Sequence, residues 1–295
     1  MEGISIIGPG RLGGALALAL NRSGNLVESI VYRTPGAAIL LRDAMRNNEP
    51  RLVSFDALDE IAAPVILITS ADPEIAGIAA VLAEFVTPGT IVLHTSGSLS
   101  SDILSGLRAK DCSTGSMHPL VSISDPILGA DRFGGVYFCI EGDAAAVDAA
   151  TEIAAALGAR PFAIATNFKQ LYHAAAVTAS GHLVTVINVA IEMLTACGIE
   201  ESTAKEVLMP LVFSTLENLR TQTPTQALTG TFARADADAF DRHMTAMSGR
   251  ISGEAIDIYL AIAERSVHLA EMQGVDAEAA SAIRNRISIA KKNRE

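Results

Sequence analysis

The sequence predicts an α/β chain: an N-terminal doubly wound, mostly parallel sheet followed by an all-helical C-terminal domain. Three observations lead there. An apolar strand runs straight into a glycine-rich turn and a helix at the very start, Ile4 to Leu20. Short apolar runs then alternate with helical stretches, as repeated strand–helix units do. Beyond about residue 165 the alternation stops and only helical patterns remain. The predicted domains are therefore residues 1–165 and 166–295.

The opening stretch carries the most chemistry. Ile4-Ser5-Ile6-Ile7 reads as a strand, Gly8-Pro9-Gly10-Arg11-Leu12-Gly13 as G-x-G-x-x-G, and Ala15 to Leu20 as a helix. In that order the pattern is a dinucleotide-binding fingerprint of Rossmann type. Gly8 permits the tight turn, Gly10 lets backbone approach a pyrophosphate, and Gly13 lets helix pack on sheet. Pro9, Arg11 and Leu12 complete the loop, and the helix N-terminus offers N–H groups and partial positive charge to phosphates. The alternative is a glycine turn with no ligand; strand, spacing and helix together favour the fingerprint.

The second strand, residues 26–33, ends in Tyr32-Arg33-Thr34. An NAD site usually carries a carboxylate there to accept from the ribose 2′-hydroxyl. Glu28 sits too early for that, whereas Arg33 with Thr34 suits a 2′-phosphate, so NADP is expected, with NADPH favoured over NADH. Arg33 is otherwise a surface arginine beside the turn at Pro35-Gly36. A helix is expected over 37–47 and a buried strand over 65–69. Ser70 and Ala71 follow at a strand carboxyl end, where cofactors bind in such sheets. Asp72 reads as a helix cap, with Pro73 at the first helical position.

Residues 90–94 form the next strand and lead into Thr95-Ser96-Gly97-Ser98. That turn, with Thr95 on the cofactor side and Ser96 as a catalytic candidate, either holds a substrate oxygen or the nicotinamide, or is a hydroxyl-stabilised turn before the next helix. His118, in Ser116-Met117-His118-Pro119, should emerge at the same sheet edge. It either donates to substrate and exchanges a proton or fixes its own loop. Strands near 135–140 and 160–164, joined by a helix over 144–157, close the sheet.

Helices are expected over 167–196, 202–221, 236–247, 252–273 and 276–292, with Gly198 ending the first and Pro210 bending the second. Lys169 and His173 stand four apart on one helix face. A lysine at a helix N-terminus meets the positive end of the dipole, which favours its neutral form. A solvated lysine is the plainer reading. The small apolar run Ala174 to Gly181 argues for a helix buried in an interdomain seam, with Lys169 facing the cleft.

Composition bounds the function. The chain has 295 residues, 49% hydrophobic and 19% charged, with a formal net charge of -11. That is enough to fold two domains and argues against a nucleic-acid partner, which needs a basic surface. Cys112, Cys139 and Cys197 lie far apart, fit neither disulfide framework nor metal site, and suit a reducing cytoplasm. The start reads as a strand rather than a signal peptide, and polar residues interrupt the later apolar stretches, so no membrane span is expected. The apolar helices suggest a homodimer through the helical domain.

The fingerprint, His94-Thr95-Ser96-Gly97, Met117-His118-Pro119-Leu120, Lys169 to His173, and Ala227-Leu228-Thr229-Gly230 occur in an order that resembles the Rossmann-like/DUF2520 family across nearly the whole chain. Its relatives include pyrroline-5-carboxylate reductase, F420-dependent NADP oxidoreductases, and the β-hydroxyacid and 6-phosphogluconate dehydrogenases. The resemblance implies a Rossmann domain, a helical dimerisation domain and NADP in the cleft between them. The β-hydroxyacid dehydrogenases carry a catalytic lysine with asparagine four residues on; Lys169 matches the lysine, but His173 replaces the asparagine. Their serine-rich substrate loop is similar in position to Thr95-Ser96-Gly97. The later motif departs from the family's Thr-Gly-Pro and Arg-Gly-Asp, reading Thr229-Gly230-Thr231 and Arg234-Ala235-Asp236.

The expected activity is hydride transfer between NADP and a small carbonyl, hydroxyl or imine compound, with Lys169 moving the accompanying proton and His173 orienting Lys169 or sharing its proton. The competing expectation is an NADP-binding sensor or assembly protein without turnover.

Overall fold

The structure, a computed structural model, describes residues 3–45 and 47–294. By their contacts these fall into two units, Met1–Ser180 and Gly181–Glu295. The helices begin at Lys169, close to the change in sequence character, but the first of them packs with the N-terminal unit.

The first unit runs β1 (Ile4–Ile7), α1 (Arg11–Arg22), β2 (Val27–Tyr32), α2 (Pro35–Ala44), β3 (Arg51–Ser54), β4 (Val65–Ile68), α3 (Asp72–Leu82) and β5 (Ile91–His94). It continues through α4 (Ser105–Arg108), β6 (Ser113–Pro119), α5 (Pro126–Gly129), β7 (Tyr137–Gly142), α6 (Ala144–Ala156), β8 (Arg160–Ala163) and α7 (Lys169–Ala179). The strands form one eight-stranded sheet in the order β3-β2-β1-β4-β5-β6-β7-β8. Every pairing is parallel except β6 with β7. The chain order reverses between β1 and β4, and the carboxyl ends of these strands frame the crevice where doubly wound sheets bind ligands.

Alternation along the strands builds two cores. Ile4 and Ile6 join Leu16, Leu18, Leu67 and Met117 on one face, while Ile7 joins Val31, Ile66, Ile68 and Val92 on the other. Each fully buried Leu or Ile is worth about 1.5–3 kcal/mol, so the central strands are anchored on both sides. Between them the buried Ser5 and Ser29 hydroxyls bond each other at 2.7 Å.

Two local expectations need correction. Strand β3 gives little sequence signal, because Arg51-Leu52-Val53-Ser54 is an edge strand whose pattern is mostly half-buried or exposed. The expected helix over 37–47 starts earlier, at Pro35, and ends at Ala44; Arg46, inside the predicted span, lies outside the described residues. Asp72 does not cap α3 either. Ala71 occupies the cap position without a side-chain bond, and Asp72 opens the helix.

The second unit is helical: α8 (Gly181–Ala196), α9 (Glu201–Thr221), α10 (Pro224–Ala227), α11 (Gly230–Ala233), α12 (Ala237–Met247), α13 (Gly253–Gln273) and α14 (Ala277–Lys292). Its core gathers Phe240, Leu260, Val267, Ile283 and Ile287 from α12, α13 and α14. Asp236 caps α12 by accepting from Ala239 N at 2.8 Å. Helix α9 runs on through Pro210, and Gly198, at a φ of 87°, turns the chain between α8 and α9.

The single helix expected over 167–196 is two helices, α7 and α8, divided at Ser180, whose φ is -117° and ψ -72°. By length and composition alone, Thr166–Ala196 is apolar enough to cross a membrane, with a mean hydropathy of 1.6 and 6% of its window buried. The expectation of no span rested on the polar residues within it. Lys169, His173, His182, Asn188 and Glu192 punctuate the run.

Candidate active site

At the sheet's crevice the glycine turn has the shape the fingerprint requires. Gly8 sits at a φ of 98°, where a side chain is strained, and a Cβ there would meet Ser70 Oγ at 2.6 Å. A Cβ on Gly13 would lie 2.2 Å from both Gly8 O and Thr69 Oγ1. Thr69 Oγ1 donates to Gly8 O at 2.7 Å and so staples the turn to the end of β4. Gly10, by contrast, faces open space. A Cβ would fill that approach, as expected for a backbone that must admit a pyrophosphate. Gly10 stands at the cap position of α1 with no side-chain cap. Arg11 and Leu12 open that helix, whose first-turn N–H groups have no intrahelical acceptor.

A groove of about 330 Å³ runs along this turn, lined by Gly8, Pro9, Gly10, Arg33, Thr34, Ser70 and Ala71 among others. The sequence-predicted cofactor residues thus converge, apart from Arg11, Leu12, Gly13 and Thr95, which are not in its lining. Arg33 is held from two sides: its guanidinium carbon lies 4.5 Å from the centre of the Phe55 ring, and its Nη1 bonds Glu74 Oε1. Glu74 was not anticipated by sequence reasoning, because it follows β4 rather than β2.

Further along the same sheet edge, the turn after β5 is buried. Thr95, Ser96 and Gly97 are all enclosed. Ser96 Oγ accepts from Ser98 N at 3.2 Å and from Leu99 N at 3.0 Å, which is the hydroxyl-stabilised turn of the two alternatives. Ser98 Oγ donates to Asp72 Oδ2 at 2.5 Å, so Asp72 braces this turn across from α3. His94 is fully buried; its Nε2 bonds Ser100 O at 3.1 Å and its Nδ1 accepts from Ser96 N at 3.2 Å. Those partners assign the proton to Nε2. Burial pushes the His94 pKa down to about 4, so the ring is neutral and holds the turn.

The reactive side chains come together around β6 and α7. Lys169 is only 1% exposed, and its Nζ donates to the equally buried Ser116 Oγ at 2.7 Å. Burial lowers its pKa, while the nearby Cys139 and Glu141 charges oppose that shift. Three residues on, Tyr172 OH bonds His118 Nδ1 at 2.7 Å. Burial first, then the Lys169 and His173 charges, bring the His118 pKa down to about 4. Burial first, then the neighbouring Cys139, raise that of Tyr172. The His173 ring lies edge-on to His118, with centroids 6.1 Å apart. A Cβ on Gly97 would meet His173 Cδ2 at 2.6 Å and His118 Nε2 at 2.8 Å, so the two rings bracket that glycine.

Lys169, His173, His118 and Ser96 therefore form one neighbourhood, with Lys169 turned into Ser116 and His173 turned onto His118. Sequence reasoning missed Ser116, Glu141 and Tyr172 as participants. Glu141 accepts from Ser101 N at 2.8 Å, Ser101 Oγ at 2.7 Å and Thr166 Oγ1 at 3.3 Å. Ser116 and Glu141 are directly paired across β6 and β7, a register no local signal reveals.

A doubly wound sheet with a glycine turn at its switch point defines the first unit as a Rossmann-like domain. The chain carries a Rossmann-like domain over residues 2–119 and the domain of unknown function DUF2520 over residues 136–266. It has the fold of NADP oxidoreductases. A candidate NADP oxidoreductase from Bacteroides fragilis is similar at a TM-score of 0.70 and 21% identity, over 92% of this chain and 97% of that one. Pyrroline-5-carboxylate reductase from Coxiella burnetii aligns at 0.59 and 11% identity, over 98% of both chains. The reductive aminase from Aspergillus terreus, solved with NADPH4, cyclohexanone and allyl amine, aligns at 0.59 and 17% identity, over 99% of this chain and 94% of that one. No curated protein matches this chain.

Proposed function

We propose that this protein is an NADP-dependent oxidoreductase that transfers hydride between the nicotinamide and a small carbonyl, hydroxyl or imine compound. The observation that carries the reading is one shared sheet edge. The open Gly10 turn with Arg33 beside it lies at the carboxyl ends of β1 and β2, and the neutral His118 lies near the carboxyl end of β6. Gly8, Gly10 and the start of α1 would hold the pyrophosphate, and Arg33 with Thr34 the 2′-phosphate. Bound there, the nicotinamide supplies or accepts the hydride.

The chain's own part is to polarise the substrate. His118 Nδ1 is paired with the Tyr172 hydroxyl; when that hydroxyl donates to Nδ1, Nε2 carries the ring's N–H and can donate a hydrogen bond to a substrate oxygen or nitrogen. At pH 7 the ring is neutral, so it acts as an uncharged hydrogen-bond donor rather than giving up its proton. Lys169 bonds Ser116, two residues before His118 on the same strand, and the His173 ring lies edge-on to His118. The three cysteines are free, which suits a reducing cytoplasm. Two copies pairing through the helical unit complete the reading.

The first test is a side-by-side titration with NADPH and NADH. A preference for NADPH of about tenfold or more, near 1.4 kcal/mol, that disappears in Arg33→Ala is the expected result. Binding of neither cofactor overturns the proposal.

A second reading, a cofactor-binding sensor or assembly protein without turnover, draws on one observation: Lys169 is sealed against Ser116 rather than open to a ligand. It requires NADPH binding with no oxidation by any carbonyl or imine compound screened.

A further inference from the structure

The ion pair in the cofactor groove is unexplained by a phosphate-binding role for Arg33 alone. Arg33 follows β2, Phe55 follows β3, and Glu74 lies in the first turn of α3; all three line the groove. The Phe55 ring, 4.5 Å from the guanidinium carbon, fixes the plane of the Arg33 fork. Glu74 then takes one of its edges. Both side chains keep substantial contact with solvent, so the pair is weak enough for a competing anion to displace it.

A 2′-phosphate needs that same fork and brings close to two negative charges against the Glu74 carboxylate. A ribose 2′-hydroxyl makes the opposite demand, being a donor in search of an acceptor. Dinucleotide folds usually provide that acceptor from the end of the second strand. Here the second strand ends in Arg33, and the nearest carboxylate in the groove comes from α3.

We propose that Glu74 is a specificity-determining residue: it competes with the 2′-phosphate for Arg33, accepts from the 2′-hydroxyl of the unphosphorylated cofactor, and so narrows the discrimination between NADPH and NADH. This rests on the dinucleotide reading above and adds the residue that sets its selectivity.

The experiment is calorimetric titration of the full chain, wild type and Glu74→Gln, with NADPH and with NADH. Glutamine keeps the shape and removes the charge. The NADPH-to-NADH affinity ratio should rise about tenfold, through tighter NADPH and weaker NADH. A second variant, Glu74→Asp, keeps the charge on a shorter stem and should leave the ratio closer to wild type than Glu74→Gln does. A ratio within twofold of wild type in Glu74→Gln, or an equal change for both cofactors, overturns the inference while leaving the cofactor reading intact. Failure of the wild type to bind either cofactor overturns both.

Discussion

At the residue scale the site turns on two histidines kept neutral by burial, each for a different end. His94 holds the turn after β5 through both ring nitrogens. Its folded pKa, about 4, lies below the unfolded value of 6.5. Stability from this residue is therefore complete above about pH 6.5 and is lost as pH falls toward 4. The full effect is at most about 3 kcal/mol. Urea midpoints measured at pH 7 and pH 4.5 should differ in the wild type, and the difference should shrink in His94→Gln. His118 has the same depressed pKa, with Nδ1 bonded to the Tyr172 hydroxyl and Nε2 set against Gly97. His118→Ala should lower turnover by about 10²–10⁴-fold with cofactor affinity nearly unchanged. Tyr172→Phe should do less, because the ring stays while its tautomer is freed. Equal losses in turnover and NADPH affinity for His118→Ala would assign His118 a structural role. The sequence pointed to His118 and Lys169 through their places at a strand end and a helix start. It could not point to Ser116 or Glu141, since a serine and a glutamate inside strands carry no signal until cross-strand register pairs them.

At the element scale, the glycine turn and the α7 seat separate two uses of close packing. Gly10 faces open space and Gly13 faces the Gly8 carbonyl and Thr69. Gly10→Ala should thus keep the wild-type melting temperature and weaken NADPH binding by tenfold or more. Gly13→Ala should destabilise the fold by about 1–3 kcal/mol, as overpacking does. Thermal melts set beside cofactor titrations separate the two. Helix α7 fits β6 by a match of spacings. Lys169 and Tyr172 are three apart on the helix, a rise of about 4.5 Å. Their partners Ser116 and His118 are two apart on one strand face, about 6.6 Å. The side chains absorb the remainder, and both bonds form at 2.7 Å. The i, i+4 spacing of Lys169 and His173 was legible in the sequence. The i, i+3 partner, Tyr172, is the one that reaches His118.

At the scale of the whole molecule, the sequence revealed the order of layers because strand and helix alternate with different apolar periods. It revealed the helical unit for the same reason. It was silent on β3, whose residues are too exposed to show a period. In the second unit, Val184, Leu211 and Phe213 stand 68%, 65% and 62% exposed on α8 and α9. Large apolar side chains so open on neighbouring helices are expected to be covered by a second copy. Light scattering should report a dimer for the wild type and a monomer for Leu211→Glu/Phe213→Glu. A wild-type monomer would remove the dimer from the proposal.

The groove is assembled from Ile7 to Glu74, and the proton cluster from His94 to His173, one after the other along the chain with no interleaving. Each half is therefore separately heritable. On the proposed function, changes that erode the cluster need not touch a residue of the groove, so a descendant that lost the chemistry would keep the groove for the cofactor. A chain built in this order would have a short evolutionary step between catalyst and cofactor gauge, running through β5, β6 and α7.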